Sequence, residues 1–102
     1  MNNLIRKESD FLRLLMSTSA KQQKALLKSI ELPQMKAIVQ IVYNVLVGNR
    51  ELKERVIKTL QKHKMIIRRL VSKSLSFEKR KTLLVKYFKY VLPFLQVIES
   101  EL

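Results

Sequence analysis

Apolar positions recur along the chain at three- and four-residue spacing, and no stretch alternates for long with period two. That is the period of a helix burying one side, so the chain reads as all-α. Leu4, Phe11, Leu12, Leu14 and Leu15 give an apolar side to a first helix over residues 3–16, which "STS" at 17–19 interrupts. Ser19 followed by Gln22 fits a capping box, in which hydroxyl and amide satisfy free N–H groups reciprocally. A short second helix then runs to about residue 30, with Ala25, Leu26 and Ile30 inward. Pro33 suits the first turn of a third helix, where the N–H it lacks has no intrahelical partner. That helix, "PQMKAIVQIVYNVLVG", carries Met35, Ile38, Val39, Ile41, Val42, Val45 and Leu46 around most of its girth and Lys36 as its only charge. A helix this apolar belongs at the centre of a bundle. Tyr43 and Asn44 within it are expected to pack and to make a buried hydrogen bond. Gly48 is expected to end it in the left-handed region.

A fourth helix is expected from about Asn49, a good N-cap residue. On a helical wheel Val56, Leu60, His63 and Ile67 fall on one side, and Arg55, Lys58, Lys62, Arg69 and Lys73 share a narrow stripe away from it. Ile66 interrupts that stripe, which predicts a bend or short break between His63 and Ile66. Ser76 can cap a last helix from Phe77, with Phe77, Leu84, Phe88, Val91, Leu95 and Ile98 on one face. Pro93 is expected to kink or end it near Lys89 to Tyr90. The whole reads as one domain over residues 1–102, a compact bundle of about five to six short helices with the third at its centre.

Composition narrows the chemistry. A chain of 102 residues with 47% apolar side chains can bury one core without help from metals or disulfides. With no Cys and one His, neither a disulfide scaffold nor a thiolate or multi-His metal site is available. The longest apolar run, "YVLPFL", falls far short of the roughly 20 residues a spanning helix needs. "MNNLIRKESD" lacks a secretory signal pattern, so the expectation is a protein that is not secreted. Phosphate-binding glycine loops and the common hydrolase and zinc motifs are absent. Most carboxylates sit beside Lys or Arg at helix spacing or at predicted helix starts. No catalysis, cofactor or small-molecule substrate is expected.

Charge then dominates. The net charge is +13, and residues 50–90 hold fourteen Lys/Arg against three acids. From Arg55 to Phe77 there are seven cations and no acid. A solvated helix face usually mixes signs, and like pairs such as Lys58–Lys62 and Arg69–Lys73 destabilise a helix slightly. Retaining that cost points to a counter-charge from outside. Arg55, Lys58, Lys62, Lys64, Arg68, Arg69 and Lys73 are therefore the candidate contacts to nucleic acid, double-stranded DNA above all. The stretch lacks Asn or Gln beside Arg in an arrangement that reads base edges, so phosphate contact without sequence readout is favoured over a helix-turn-helix reader. His63 faces the apolar side. It reads as a packed or helix-end residue, with a phosphate contact or pH switch as the functional alternative.

A second reading uses "LLVKYFKYVLPFLQVI". Lys86, Tyr87, Phe88, Tyr90 and Phe94 have the composition of an interfacial helix on an anionic membrane, or of a partner or homodimer surface. The plainer alternative is that these aromatics complete the core.

The motif order adds a resemblance. "ALLKSI", "MKAIVQIVYNVLVGN", "LQKHKMIIRRLVSK" and "SFEKRKTLLV" follow one another as in small basic proteins encoded by Maverick/Polinton elements and adintoviruses, which have been likened to the adenovirus small core protein. Tyr43-Asn44 with Gly48-Asn49, and Lys62-His63-Lys64 with Arg68, are its most specific parts, within roughly residues 24 to 95. The resemblance implies a nucleoprotein of a virion or transposon, in the nucleus or the virion, with Lys62, His63, Lys64 and Arg68 on its basic patch. In one place the chain departs. A Gly-Gly-Phe-Leu-Pro run common near the end of such proteins is here "YFKYVLP", which keeps only Leu92-Pro93, so any role of those glycines is not carried over.

Overall fold

The structure is a computed structural model that describes residues 2–48 and 52–102. The expected N-cap at Asn49 lies outside the described residues. Among them the chain forms six α-helices: α1 Asn3–Lys7, α2 Ser9–Ser17, α3 Ala20–Lys28, α4 Leu32–Val47, α5 Glu54–Leu70 and α6 Phe77–Gln96, closed by a 3₁₀ turn at Glu99–Glu101. The all-α bundle expected from the periodicity is the observed architecture, measuring 32 × 27 × 26 Å.

Local chemistry sets most boundaries. Asn2 Oδ1 accepts from the Leu4 N–H at 2.7 Å and starts α1. The helix expected over residues 3–16 is two helices, divided at Glu8 (φ −102°, ψ 14°). Ile5 in the first and Leu12 and Leu15 in the second turn inward, while Leu14 is left exposed. Ser19 Oγ accepts from the Gln22 N–H at 3.2 Å. The Gln22 side chain, however, accepts from the Thr18 hydroxyl, so the reciprocal half of the expected box is absent. At the start of α4, Gln34 Oε1 accepts from the Glu31 N–H at 2.9 Å, with Pro33 in the first turn. Ser76 caps α6 by accepting from the Lys79 N–H at 3.3 Å. Gly48 ends α4 in extended backbone (φ −77°, ψ 159°) rather than the left-handed region. Its N–H donates to the Asn44 carbonyl at 2.8 Å, a single helical bond that needs no positive φ.

Two helices bend. In α5 the backbone leaves helical geometry at His63 (φ −127°, ψ 27°), within the expected break. In α6 it does so at Tyr87 (φ −120°, ψ 20°), earlier than the expected site at Lys89–Tyr90. Pro93 removes the N–H that the Lys89 carbonyl would accept, yet α6 continues to Gln96 with Pro93 buried inside it. The bend therefore lies upstream of the missing bond and does not end the helix.

The core joins all six helices. α4 packs on α1, α2 and α6, and α6 packs on α2, α3, α4 and α5. Phe94, Leu12, Leu15, Leu27, Met35 and Ile38 are its largest fully buried side chains. No polar or charged residue is buried among those described. In α3 the inward residue is Leu27, whereas Ala25 is exposed. In α4 both Tyr43 and Asn44 are exposed, and Asn44 Oδ1 accepts from Gln40 Nε2 at 2.8 Å on the surface. The expected buried bond there does not form, because Ile41, Val42 and Val45 already fill the inward positions.

Candidate nucleic-acid interface

The site grows from the way α5 docks. Val56, Leu60, His63, Ile67 and Leu70 point inward at alternating four- and three-residue steps, a single seam laid on α6. Most of the rest of α5 is exposed, Thr59 and Ile66 being half-buried. Arg55, Lys58, Lys62, Lys64, Arg68, Arg69 and Lys73 are all exposed.

They do not form one uniform stripe. At the start of α5, Lys58 Nζ lies 3.0 Å from Glu54 Oε1. Such an exposed pair contributes about 0–1 kcal/mol but neutralises the local charge. Arg55 shares a cleft with Lys53 and Glu99. Beyond Lys62 the surroundings change. Arg68 and Arg69 line an open groove between α5 and α6 with Met65, Ile66, Leu83 and Tyr87. Ile66, which fits no single straight helix, is half-buried there. Lys73 lies in the turn after α5 and joins Lys36 and Arg80 along a second groove, beside Tyr43. Among the described residues neither groove has an acid in its lining. Positive charge without opposition is thus concentrated from Lys62 to Lys73.

The two bends bring rings together. The His63 ring stacks on Tyr90 at 3.6 Å between centroids and 21° between planes. Tyr90 in turn stacks offset on Tyr87 at 6.1 Å and 24°. Lys89 Nζ sits 5.1 Å from the Tyr90 centroid and Lys86 Nζ 5.2 Å from that of Tyr87. At exposed sites each such cation–ring contact contributes about 0.5–1 kcal/mol. His63 therefore sits where the two segments of α5 meet, packed ring to ring on Tyr90.

The aromatic stretch of α6 divides. Phe88 and Phe94 are buried at 5% and 0% exposure, so the folded chain does not offer them to a bilayer or partner. Tyr87 and Tyr90 are half-buried, and Lys86 and Lys89 are exposed. Those two lysines also line a groove between α3 and α6 with Lys21 and Lys24. The surface once set apart for a membrane thus adjoins the α5 cations through the His63–Tyr90 stack.

Lys21, Lys24, Lys36 and Arg80 were not among the sequence candidates. Arg80 has the clearest structural role. Its Nε donates to the Leu70 carbonyl at 2.9 Å and its Nη2 to that of Ser72, holding the end of α5 and the turn that carries Lys73. No spacing rule marks it, since its acceptors lie eight and ten residues upstream. The described residues contain no cluster of acids and His placed to hold a metal ion, and no helix long and apolar enough to cross a membrane. No family model, curated protein or solved structure matches the chain.

Proposed function

We propose that this chain is a non-enzymatic protein that binds or condenses double-stranded DNA with little regard to sequence. The observation that carries the reading is the run Lys62, Lys64, Arg68, Arg69 and Lys73. All five are exposed, with no acid between Arg55 and Phe77 in the chain and, among the described residues, none in the two grooves that Arg68, Arg69 and Lys73 line. Among the described residues no acid pairs with these five cations. A polyphosphate supplies the missing counter-charge, and released counterions drive the association. Phosphate contacts of this kind position a protein without selecting bases. The sequence resemblance supports the further reading of a nucleoprotein from a DNA virus or virus-like transposon.

The test is fluorescence anisotropy on several unrelated duplexes of equal length, with anionic lipid vesicles in parallel. The reading expects duplex affinities within about threefold of one another, far below the 10³-fold or greater ratio of a specific reader. A strong preference for one duplex would favour helix-turn-helix recognition. Vesicle binding without DNA binding would favour the membrane alternative, which retains Lys86, Tyr87 and Tyr90 at the surface.

A further inference from the structure

The groove between α5 and α6 carries features that a duplex cannot use. It encloses about 570 Å³, within the range of small-ligand sites, and is open to solvent. Among the described residues Met65, Ile66, Leu83 and the Tyr87 ring line it with Arg68 and Arg69, and Lys86 Nζ lies 5.2 Å from the Tyr87 centroid. Met65 is 78% exposed, an apolar side chain left in water beside two guanidinium groups. In a duplex the flat faces of the bases are hidden in the stack, so only phosphates would meet this surface and the apolar lining would go unused. Unpaired nucleotides offer both chemistries at once.

The rings supply the second observation. His63, Tyr90 and Tyr87 form a run of near-parallel rings, inclined by 21° and 24° from one to the next. Tyr87, at one end of the run, lines the groove. A planar base is the natural next member of such a series, whereas a lipid chain gains nothing from the alignment.

We infer that this groove binds single-stranded nucleic acid, with an unpaired base stacked at Tyr87 and the adjoining phosphates on Arg68 and Arg69. The inference rests on the polyanion reading above for its arginines and goes beyond it for the base. Stacking tolerates any base, because every base has a π-face.

The test compares the unmodified chain on a thymidine oligonucleotide and on an abasic oligonucleotide of the same length and charge. One stacked base is expected to favour the first by roughly 5- to 150-fold. Tyr87→Leu should remove that advantage and leave abasic affinity unchanged, while Tyr87→Phe keeps it. Equal affinity of the unmodified chain for the two oligonucleotides overturns the inference and leaves duplex binding standing. Failure to bind any of the polyanions overturns both readings. An advantage that survives Tyr87→Leu, or anionic vesicles that compete for the groove in a Tyr87-dependent way, also overturns it.

Discussion

Salt dependence puts a number on the charge distribution. The long dimension of the molecule is 32 Å. Duplex DNA carries a charge about every 1.7 Å of axis, so that length spans about 19 phosphates on its two strands. Engaging about a third of them is geometrically modest. Lys62, Lys64, Arg68, Arg69 and Lys73 supply five exposed cations, and Lys89, beside the His63–Tyr90 stack, a sixth. With about six phosphates neutralised, log K should fall against log salt with a slope of about −5, a loss near 10³-fold between about 50 and 200 mM. The informative variant is the triple substitution Lys62→Gln, Lys64→Gln, Arg69→Gln. Losing three contacts should bring the slope to about −3. The matched control is Arg55→Gln with Lys58→Gln. It should change the slope by less than about 1, because Lys58 is already paired with Glu54 and Arg55 shares its cleft with Glu99. All five positions are exposed, so each substitution should move stability by no more than about 0.5 kcal/mol, which denaturant midpoints would verify. Anisotropy titrations at four or five salt concentrations give the slopes. A parent slope shallower than about −2, or a control pair as damaging as the triple variant, would refute the placement of charge argued here.

Other expectations concern the fold beneath the site. Arg80→Ala removes two charge-assisted bonds to backbone carbonyls at a half-exposed position. It should cost about 1–2 kcal/mol in urea unfolding, with duplex affinity less affected than stability. Phe94→Ala, at a fully buried position, should cost about 3–5 kcal/mol, whereas Met65→Ala, at 78% exposure, should stay within about 0.5 kcal/mol. Equal effects of those two would contradict the assigned core. Ser76→Ala should lose about 0.5–2 kcal/mol from the α6 N-terminus, with Ser76→Gly costing less. His63→Ala should lose about 0.5–1.5 kcal/mol of ring contact, and a double-mutant cycle with Tyr90→Ala isolates that amount.

What the chain declares by itself is mostly local. Ser19, Pro33 and Ser76 mark helix starts because capping depends on atoms three residues apart. The misfit of Ile66 marked the α5 bend, since on a straight helix it falls within the cationic stripe. Failures arose where a tertiary partner decides. Ala25 and Tyr43 are apolar or aromatic but lie where no helix covers them. Pro93 fixes a missing bond, whereas the bend in α6 falls at Tyr87, beside α5. The seven cations were legible as a group, and all proved exposed. Their division was not legible, because Glu99 reaches the cleft of Arg55 only through the packing of the chain end. Likewise the groove at Tyr87 and the basic lining shared by α3 and α6 exist only once helices distant in sequence meet.

The docking of α5 through one seam has a consequence for how such a chain can change over generations. Val56, Leu60, His63, Ile67 and Leu70 hold the helix, while Lys62, Lys64, Arg68 and Arg69 hold nothing within it. The two sets occupy interleaved codons yet answer to separate selective pressures. Drift in the second set would retune the proposed grip on a polyanion in small steps, each nearly invisible to folding. Drift in the first would be felt in folding stability, modestly at His63 and more severely at the fully buried Ile67. A lineage built on this helix can therefore explore strong, weak or lost attachment without ever passing through an unfolded ancestor.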